Sequence, residues 1–134
     1  MYLSRLNNQQ KAIFLGLAFN LATTDGDYSE SEKAMISTYC DEMHIFFDKT
    51  SMVKSNSVLL EEMSKISDIE AKRIVVFELI GLALADGNYH VTERNFIKTM
   101  LEEFGLEDGY DSECESVVNE YLNCQSKISQ LVLG

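Results

Sequence analysis

The apolar residues of the chain recur with a helical period over most of its length. Between residues 8 and 24, apolar side chains lie three or four positions apart, which predicts a helix with one buried face. Comparable patterns predict helices at about 29–44, 57–66, 69–85 and 91–104, and a helix or a helix pair at 111–133, with a connector over 45–56. With no proline and only seven glycines, the chain lacks the turn residues that regularly spaced strands need. We therefore predict an all-α fold, a compact helical bundle of about six to seven helices.

The predicted helix at 69–85 is the most apolar of the chain. Its run from Ile74 to Ala85 is interrupted by Glu78 and is otherwise hydrophobic nearly all round, so we expect it to occupy the centre of the bundle. Two residue pairs, Ser29 with Glu32 and Ser67 with Glu70, have the spacing of a capping box at a helix start. Gly105 and Leu106 have the pattern of a helix C-cap, whereas the corresponding positions earlier in the chain hold His44 and Ile45.

One stretch of the sequence occurs twice. Asp-Gly-Asp-Tyr-Ser-Glu-Ser-Glu, residues 25–32, returns as Asp-Gly-Asn-Tyr-His-Val-Thr-Glu, residues 86–93, at an offset of 61 positions. A duplicated unit is the direct interpretation. We therefore predict two pseudo-symmetric helix-loop-helix repeats, at about 8–45 and 69–106, followed by a C-terminal helical cover at about 111–133. No proline- or serine-rich linker divides them, so residues 1–134 are expected to form a single domain.

Charge and cysteine content limit the classes of partner. The formal net charge is −11 and no Lys/Arg cluster occurs, which argues against binding to nucleic acid or to an anionic membrane surface. Three cysteines without a CxxC spacing fit a reduced, cytoplasmic protein. The N-terminal residues have no secretory-signal pattern, and the longest apolar run is much shorter than the roughly 20 residues of a membrane span. Membrane insertion is therefore not expected.

The repeated stretch has the spacing of half a calcium-binding loop. Gly26 and Glu32, like Gly87 and Glu93, are spaced as the glycine and the bidentate glutamate of an EF-hand. The earlier ligand positions would fall on leucine and threonine, so neither loop makes an EF-hand by itself. If the two loops lie side by side, their oxygen atoms can hold one divalent cation, with calcium or magnesium favoured over zinc. The predicted ligands are Asp25, Asp27, Glu32, Asp86, Asn88 and Glu93.

A metal-free interpretation of the same loops stays open. Aspartate before glycine is common turn chemistry, and a glutamate in the first helical turn can close a capping box. Ser29 and Glu32 fit this interpretation fully. His90 is a poor capping residue, yet Glu93 is still present, which favours a role for Glu93 beyond capping. Tyr28 and Tyr89 are expected to pack at the corners rather than to ligate a cation.

Other chemistry has weaker support in the sequence. His44, His90 and the three cysteines show no zinc-ligand spacing. No nucleophile–base pair, glycine-rich phosphate loop or cofactor motif accompanies the carboxylates, so no enzyme activity is predicted. A hydrolase would need two carboxylates placed together beside an apolar pocket.

The two motif copies, Leu-Ala-Thr-Thr-Asp-Gly-Asp-Tyr-Ser-Glu-Ser-Glu-Lys and Leu-Ala-Leu-Ala-Asp-Gly-Asn-Tyr-His-Val-Thr-Glu-Arg, resemble the twin motifs of TerB-like proteins. These are the tellurite-resistance TerB family and the related domain of some membrane-anchored co-chaperones. The resemblance covers residues 13 to 106. It implies an internally pseudo-symmetric helical bundle with a metal-binding acidic cluster, matched here by Asp25, Glu32, Asp86 and Glu93. It also implies a bacterial cytoplasmic stress response with protein partners, in some cases in a membrane-associated complex.

Overall fold

Six α-helices and one short 3-10 turn make up the described part of the chain, and no strand occurs there. The structure is a computed structural model that describes residues 1–24, 28–46, 54–85, 87 and 89–134. The all-α prediction is confirmed for these residues. The 3-10 turn covers Leu3–Arg5, and the helices are α1 (Asn8–Thr23), α2 (Glu30–Met43), α3 (Asn56–Ile66), α4 (Ile69–Ala83), α5 (Val91–Phe104) and α6 (Tyr110–Leu133).

Helix α4 lies at the centre of the bundle, as its sequence predicts. It packs against α1, α2, α5, α6 and the 3-10 turn. Val75, Val76, Leu79 and Ile80 are fully buried on its different sides, which is the behaviour expected of a helix that is apolar all round. None of the helices in the described ranges combines the length and the apolarity that crossing a membrane requires.

The one carboxylate within the apolar run of α4 is buried and hydrogen-bonded. Glu78 Oε1 accepts a hydrogen bond from the α-amino group of Met1 at 2.7 Å and another from the backbone N–H of Tyr2 at 3.0 Å. Glu42 of α2 accepts a bond from the backbone N–H of Leu3 at 2.8 Å. Because a buried carboxylate without partners would be costly, these bonds explain how Glu78 is accommodated and why the 3-10 turn lies between α2 and α4.

One predicted helix cap is wrong. Ser67 was expected to begin α4 in a capping box with Glu70, but the N-cap residue is Asp68, which accepts a hydrogen bond from the backbone N–H of Ala71 at 2.9 Å. Ser67 instead ends α3, and Glu70 pairs with the Arg5 side chain at 2.7 Å. Serine and aspartate are equally good N-caps, so residue type alone does not decide between neighbours.

The C-terminal ends of α2 and α5 have the same backbone conformation. His44 (φ 57°) and Gly105 (φ 67°) both adopt the left-handed conformation. The next residue of each bonds back into its helix, Ile45 N–H to Cys40 C=O and Leu106 N–H to Leu101 C=O, both at 3.0 Å. Both helices therefore end in a Schellman-type cap. The histidine that interrupts the sequence pattern does not change the geometry.

Exchanging residue types at these two caps is expected to move stability in opposite directions. His44→Gly should raise the free energy of unfolding by about 1 kcal/mol, because glycine relieves the left-handed strain of a residue with a Cβ. Gly105→Ala should lower it by about 1 kcal/mol for the same reason. A Cβ at Gly105 would meet no atom within 4 Å, so steric clash does not confuse the comparison. Urea denaturation of both variants measures the effect, and two changes of the same sign would contradict it.

The C-terminal helix covers the bundle over only part of its length. Cys114 and Val118 are its buried residues, and the chain from residue 119 to 134 is exposed throughout. The segment 111–133 is a single helix, and the predicted cover is limited to its N-terminal part, which packs on α4 and α5.

Candidate functional site

The candidate site consists of two helix-loop-helix corners. The first corner joins α1 to α2 and the second joins α4 to α5, and each contains one copy of the repeated acidic stretch. Of the six predicted ligands, Glu32 and Glu93 are described by the structure. The other four, Asp25, Asp27, Asp86 and Asn88, lie outside the described residues. The part of each corner described below is therefore the N-terminal end of the helix that follows the loop, α2 or α5.

At the first corner, Glu32 is a buried carboxylate that caps α2. Its side chain lies in the first turn of the helix and the residue is only 3% exposed. Glu32 Oε1 accepts hydrogen bonds from the backbone N–H of Ser29 at 3.2 Å and from the Ser29 hydroxyl at 3.1 Å. The Ser29 Oγ in turn accepts a bond from the backbone N–H of Glu32 at 3.1 Å. The predicted capping box at this position is confirmed.

At the second corner, Glu93 is buried in the corresponding position of α5. The residue is 1% exposed, and its Oε1 accepts a hydrogen bond from the backbone N–H of His90 at 3.0 Å. This bond matches the one that Glu32 accepts from Ser29. The sequence suggested that capping does not explain Glu93, because His90 is a poor capping residue. That argument is wrong, since the Glu93 carboxylate accepts its bond from the backbone N–H of residue 90, and this bond does not depend on the side chain there.

Both corners also contain a tyrosine in contact with a basic residue five positions later. The Tyr28 ring packs edge-on against Phe19 at 5.6 Å between ring centroids, and Lys33 Nζ lies 5.4 Å from its centre. The Arg94 guanidinium lies 4.0 Å from the centre of the Tyr89 ring. These contacts confirm the packing role expected for the two tyrosines.

Electrostatics agree with that role. Burial, followed by the charge of Glu32, raises the pKa of Tyr28. Burial likewise raises the pKa of Tyr89, against a smaller opposing effect of Arg94. Both phenols are therefore neutral at physiological pH and are poor candidates for a cation ligand.

A bidentate salt bridge connects the second corner to the C-terminal helix. Arg94 donates from Nη1 and Nη2 to the two carboxylate oxygens of Glu115 on α6, both at 3.0 Å. Its Nε donates to the backbone carbonyl of Tyr89 at 3.3 Å. Planar bidentate pairing of this kind fixes geometry as well as charge. The described part of the first corner shows no equivalent link.

A complete cation site is not assembled from the described residues alone. They contain no group of three or more His, Cys, Asp or Glu side chains placed to hold a metal ion. The residues searched include His44, His90 and the three cysteines, all of which are described. The oxygen-ligand site predicted from the sequence also needs Asp25, Asp27, Asp86 and Asn88. These four residues lie outside the described part of the chain, so that site stays a prediction.

The structure adds a feature that the sequence did not indicate, a groove along α2. It runs from Tyr28, before the helix, past Lys33, Ile36 and Cys40 on one face of α2 to His44 and Phe46 after it. Burial, followed by the neighbouring Asp41 charge, raises the pKa of the Cys40 thiol, so the thiol is protonated at neutral pH. Lys33, Ser37 and Cys40 are spaced to lie on one face of α2, and His44 at its C-cap continues that face.

Comparisons with protein-family models, with curated proteins and with solved structures give no match to this chain. The residues of the two corners and the resemblance of their sequence motifs are therefore the basis for assigning a function.

Proposed function

We propose that the chain is a non-enzymatic TerB-like module that binds one divalent cation between its two acidic corners and acts through protein partners. The observation that supports it best is the presence of two buried carboxylates, Glu32 and Glu93, at the same place in two 14-residue helices. Each follows an Asp-Gly loop whose further oxygen donors are suitable for calcium or magnesium. Both carboxylates already cap their helices, and a divalent cation would be a further partner for their oxygen atoms.

The proposal includes internal pseudo-symmetry between the two repeats. Helices α2 and α5 begin and end at positions 61 apart, and their left-handed caps at His44 and Gly105 keep the same offset. The hydrogen bonds from the N-cap backbone to the two glutamates correspond in the two repeats. The contacts of the two tyrosine rings with the Lys33 and Arg94 side chains correspond as well. We propose that the two corresponding corners share one site, to which Asp25 and Asp86 both contribute ligands.

By its motif resemblance, the proposed setting is the bacterial cytoplasm, in a stress response of the tellurite-resistance type. The acidic net charge of −11 favours cations and basic protein surfaces over nucleic acid as partners. No catalytic role is proposed, because the motif provides cation ligands and no activated nucleophile.

Thermal and chemical unfolding in the presence of metals tests the proposal. The chain is first stripped with a chelator and then given calcium, magnesium, manganese or zinc. A cation that binds only the folded chain adds about 2.7 kcal/mol of stability at one hundred times its dissociation constant. We expect calcium or magnesium to produce such a gain. Unchanged melting temperatures and amide NMR spectra with all four metals would refute the metal part of the proposal.

A second candidate is a metal-free interaction module in which the loops are structural turns. The capping bonds of Glu32 and Glu93 favour it, since they give both carboxylates a role without any cation. In this case Asp25→Asn combined with Asp86→Asn alters stability but not ion binding, and capture of protein partners is the same with and without chelator. Partner capture that is lost on adding chelator would exclude this candidate.

A further inference from the structure

The C-terminal half of α6 presents an apolar stripe that no other described part of the chain covers. Val117, Tyr121, Cys124, Ile128 and Leu131 follow one another at alternating spacings of four and three residues, and all are exposed, Leu131 at 86%. We call these five residues the α6 stripe. Of the exposed large apolar side chains in the described ranges, half lie between residues 117 and 133. Scattered exposed apolar residues are normal, whereas a continuous stripe of this kind marks a contact surface.

The spacing of the α6 stripe is that of a coiled-coil seam. In heptad notation Val117, Cys124 and Leu131 occupy d positions, and Tyr121 and Ile128 occupy a positions. Val118, next to the stripe, is buried against the bundle. The stripe therefore lies on a neighbouring face of α6, one that the bundle does not cover.

The charge around the α6 stripe differs from the rest of the molecule. The chain carries a net charge of −11, but residues 117–134 contain one acidic residue, Glu120, and one basic residue, Lys127. Two copies of this chain repel each other over most of their surfaces. The segment around the α6 stripe is neutral, so contact between copies at this segment avoids that repulsion.

We propose that the α6 stripe binds the same stripe of a second copy of this chain, with the two helices antiparallel. Glu120 and Lys127 both occupy g positions, seven residues apart. In an antiparallel pair the g positions of the two helices face each other. With Tyr121 opposite Cys124 of the second copy, Glu120 faces Lys127 of the second copy, and the twofold axis repeats this ion pair.

A parallel pair does not use these charges. There a g residue faces the e residue five positions later on the other helix, so Glu120 would face Gln125 and Lys127 would face Val132. Another antiparallel register, one heptad further along, would place Lys127 against Lys127 of the second copy. The charge pattern therefore selects one orientation and one register. In it Val117 also lies opposite Ile128, whereas Leu131 falls opposite Cys114, which is buried in the bundle, so four of the five stripe residues pair with one another.

A lipid surface is a poorer match to the same stripe. Amphipathic helices that bind anionic membranes carry several basic residues on their polar face. Lys127 is the only basic residue of α6, against four acidic ones, Asp111, Glu113, Glu115 and Glu120. The second copy is therefore the better-supported occupant.

Sedimentation equilibrium of the full chain over a wide concentration range tests the proposal. We expect a mass approaching twice the 15.2 kDa of one chain at high concentration, falling to one chain on dilution. Ile128→Asp should give one chain at all concentrations, and its melting temperature should equal that of the dilute, single wild-type chain. Val91→Asp is the matched control, because Val91 is also exposed but lies on α5, and it should leave the association unchanged.

Charge reversal tests the orientation. Glu120→Lys and Lys127→Glu each place like charges across the antiparallel pair and should each weaken association by about tenfold, while the double variant restores it. A wild-type chain that stays monomeric at the highest concentration would overturn the proposal. Binding of the monomeric wild-type chain to anionic phospholipid vesicles would also overturn it. Single reversals without effect, in a chain that does associate, would overturn the antiparallel arrangement.

Discussion

Replacing Phe14 by alanine is expected to lower the free energy of unfolding by about 3–5 kcal/mol. Phe14 lies on α1 and is fully buried, with its ring edge-on to Tyr39 of α2 at 5.3 Å between centroids. The Tyr39 hydroxyl donates a hydrogen bond to the backbone carbonyl of Glu78 on α4 at 2.9 Å. Removing the Phe14 ring thus leaves a cavity where three helices meet and removes the support of the buried Tyr39 ring.

Phe46→Ala is the matched control for this substitution. Phe46 is 96% exposed, so the same change of side chain there should alter stability by less than about 0.5 kcal/mol. Denaturant unfolding followed by circular dichroism measures both variants. Equal losses at the two positions would contradict the packing described for α1, α2 and α4.

Truncating the corner glutamates is expected to produce the second large effect. Glu93→Ala and Glu32→Ala should each lower the free energy of unfolding by about 2 kcal/mol, because each leaves the N-cap backbone N–H of its helix without this carboxylate acceptor. The glutamine variants should lose less, since an amide oxygen still accepts that bond. This difference separates the capping role of the carboxylate from the role of its charge.

Glu30→Ala provides the control on the same helix turn. Glu30 lies in the first turn of α2 like Glu32, but its side chain is 91% exposed and pairs with Lys33 on the surface. Its removal should change stability by less than about 0.5 kcal/mol. If Glu30→Ala and Glu32→Ala lower the free energy of unfolding by the same amount, the buried capping bond of Glu32 does not contribute to stability as described.

Helix positions followed from the sequence because the apolar residues keep a helical period and the ends carry recognisable signals. The predicted bounds of α5, residues 91–104, agree with the structure, and α1, α2 and α4 differ by at most two residues at either end. The wrong cap at Ser67 arose because Asp68 is an equally suitable N-cap. The left-handed conformation of His44 was not predicted, because histidine is not a typical residue for it.

The outer half of α6 shows a different limit of sequence-based prediction. A stripe that packs inside one chain and a stripe that packs between two chains have the same apolar spacing. The segment was therefore predicted to cover the bundle, whereas its residues beyond Val118 are exposed. Only the described contacts of Cys114 and Val118 show where the intramolecular packing ends.

The candidate site was predictable in position but not in all its bonds. The repeated stretch located both corners, and the spacing of Ser29 and Glu32 predicted the first capping box. The bond of Glu93 was missed because its partner is a backbone N–H, which nearly every residue has. Residue identity at position 90 therefore carries no signal for it.

Calorimetric titration of the chelator-stripped chain with calcium or magnesium tests the shared cation site most directly. We expect one cation per chain, and we expect Glu32→Gln alone or Glu93→Gln alone to weaken binding at this single site. Glutamine keeps an acceptor for the capping bond, so the folded structure is retained and can be verified by circular dichroism. No binding by the unaltered chain, or two sites of which each substitution removes only one, would contradict a cation site shared by the two corners.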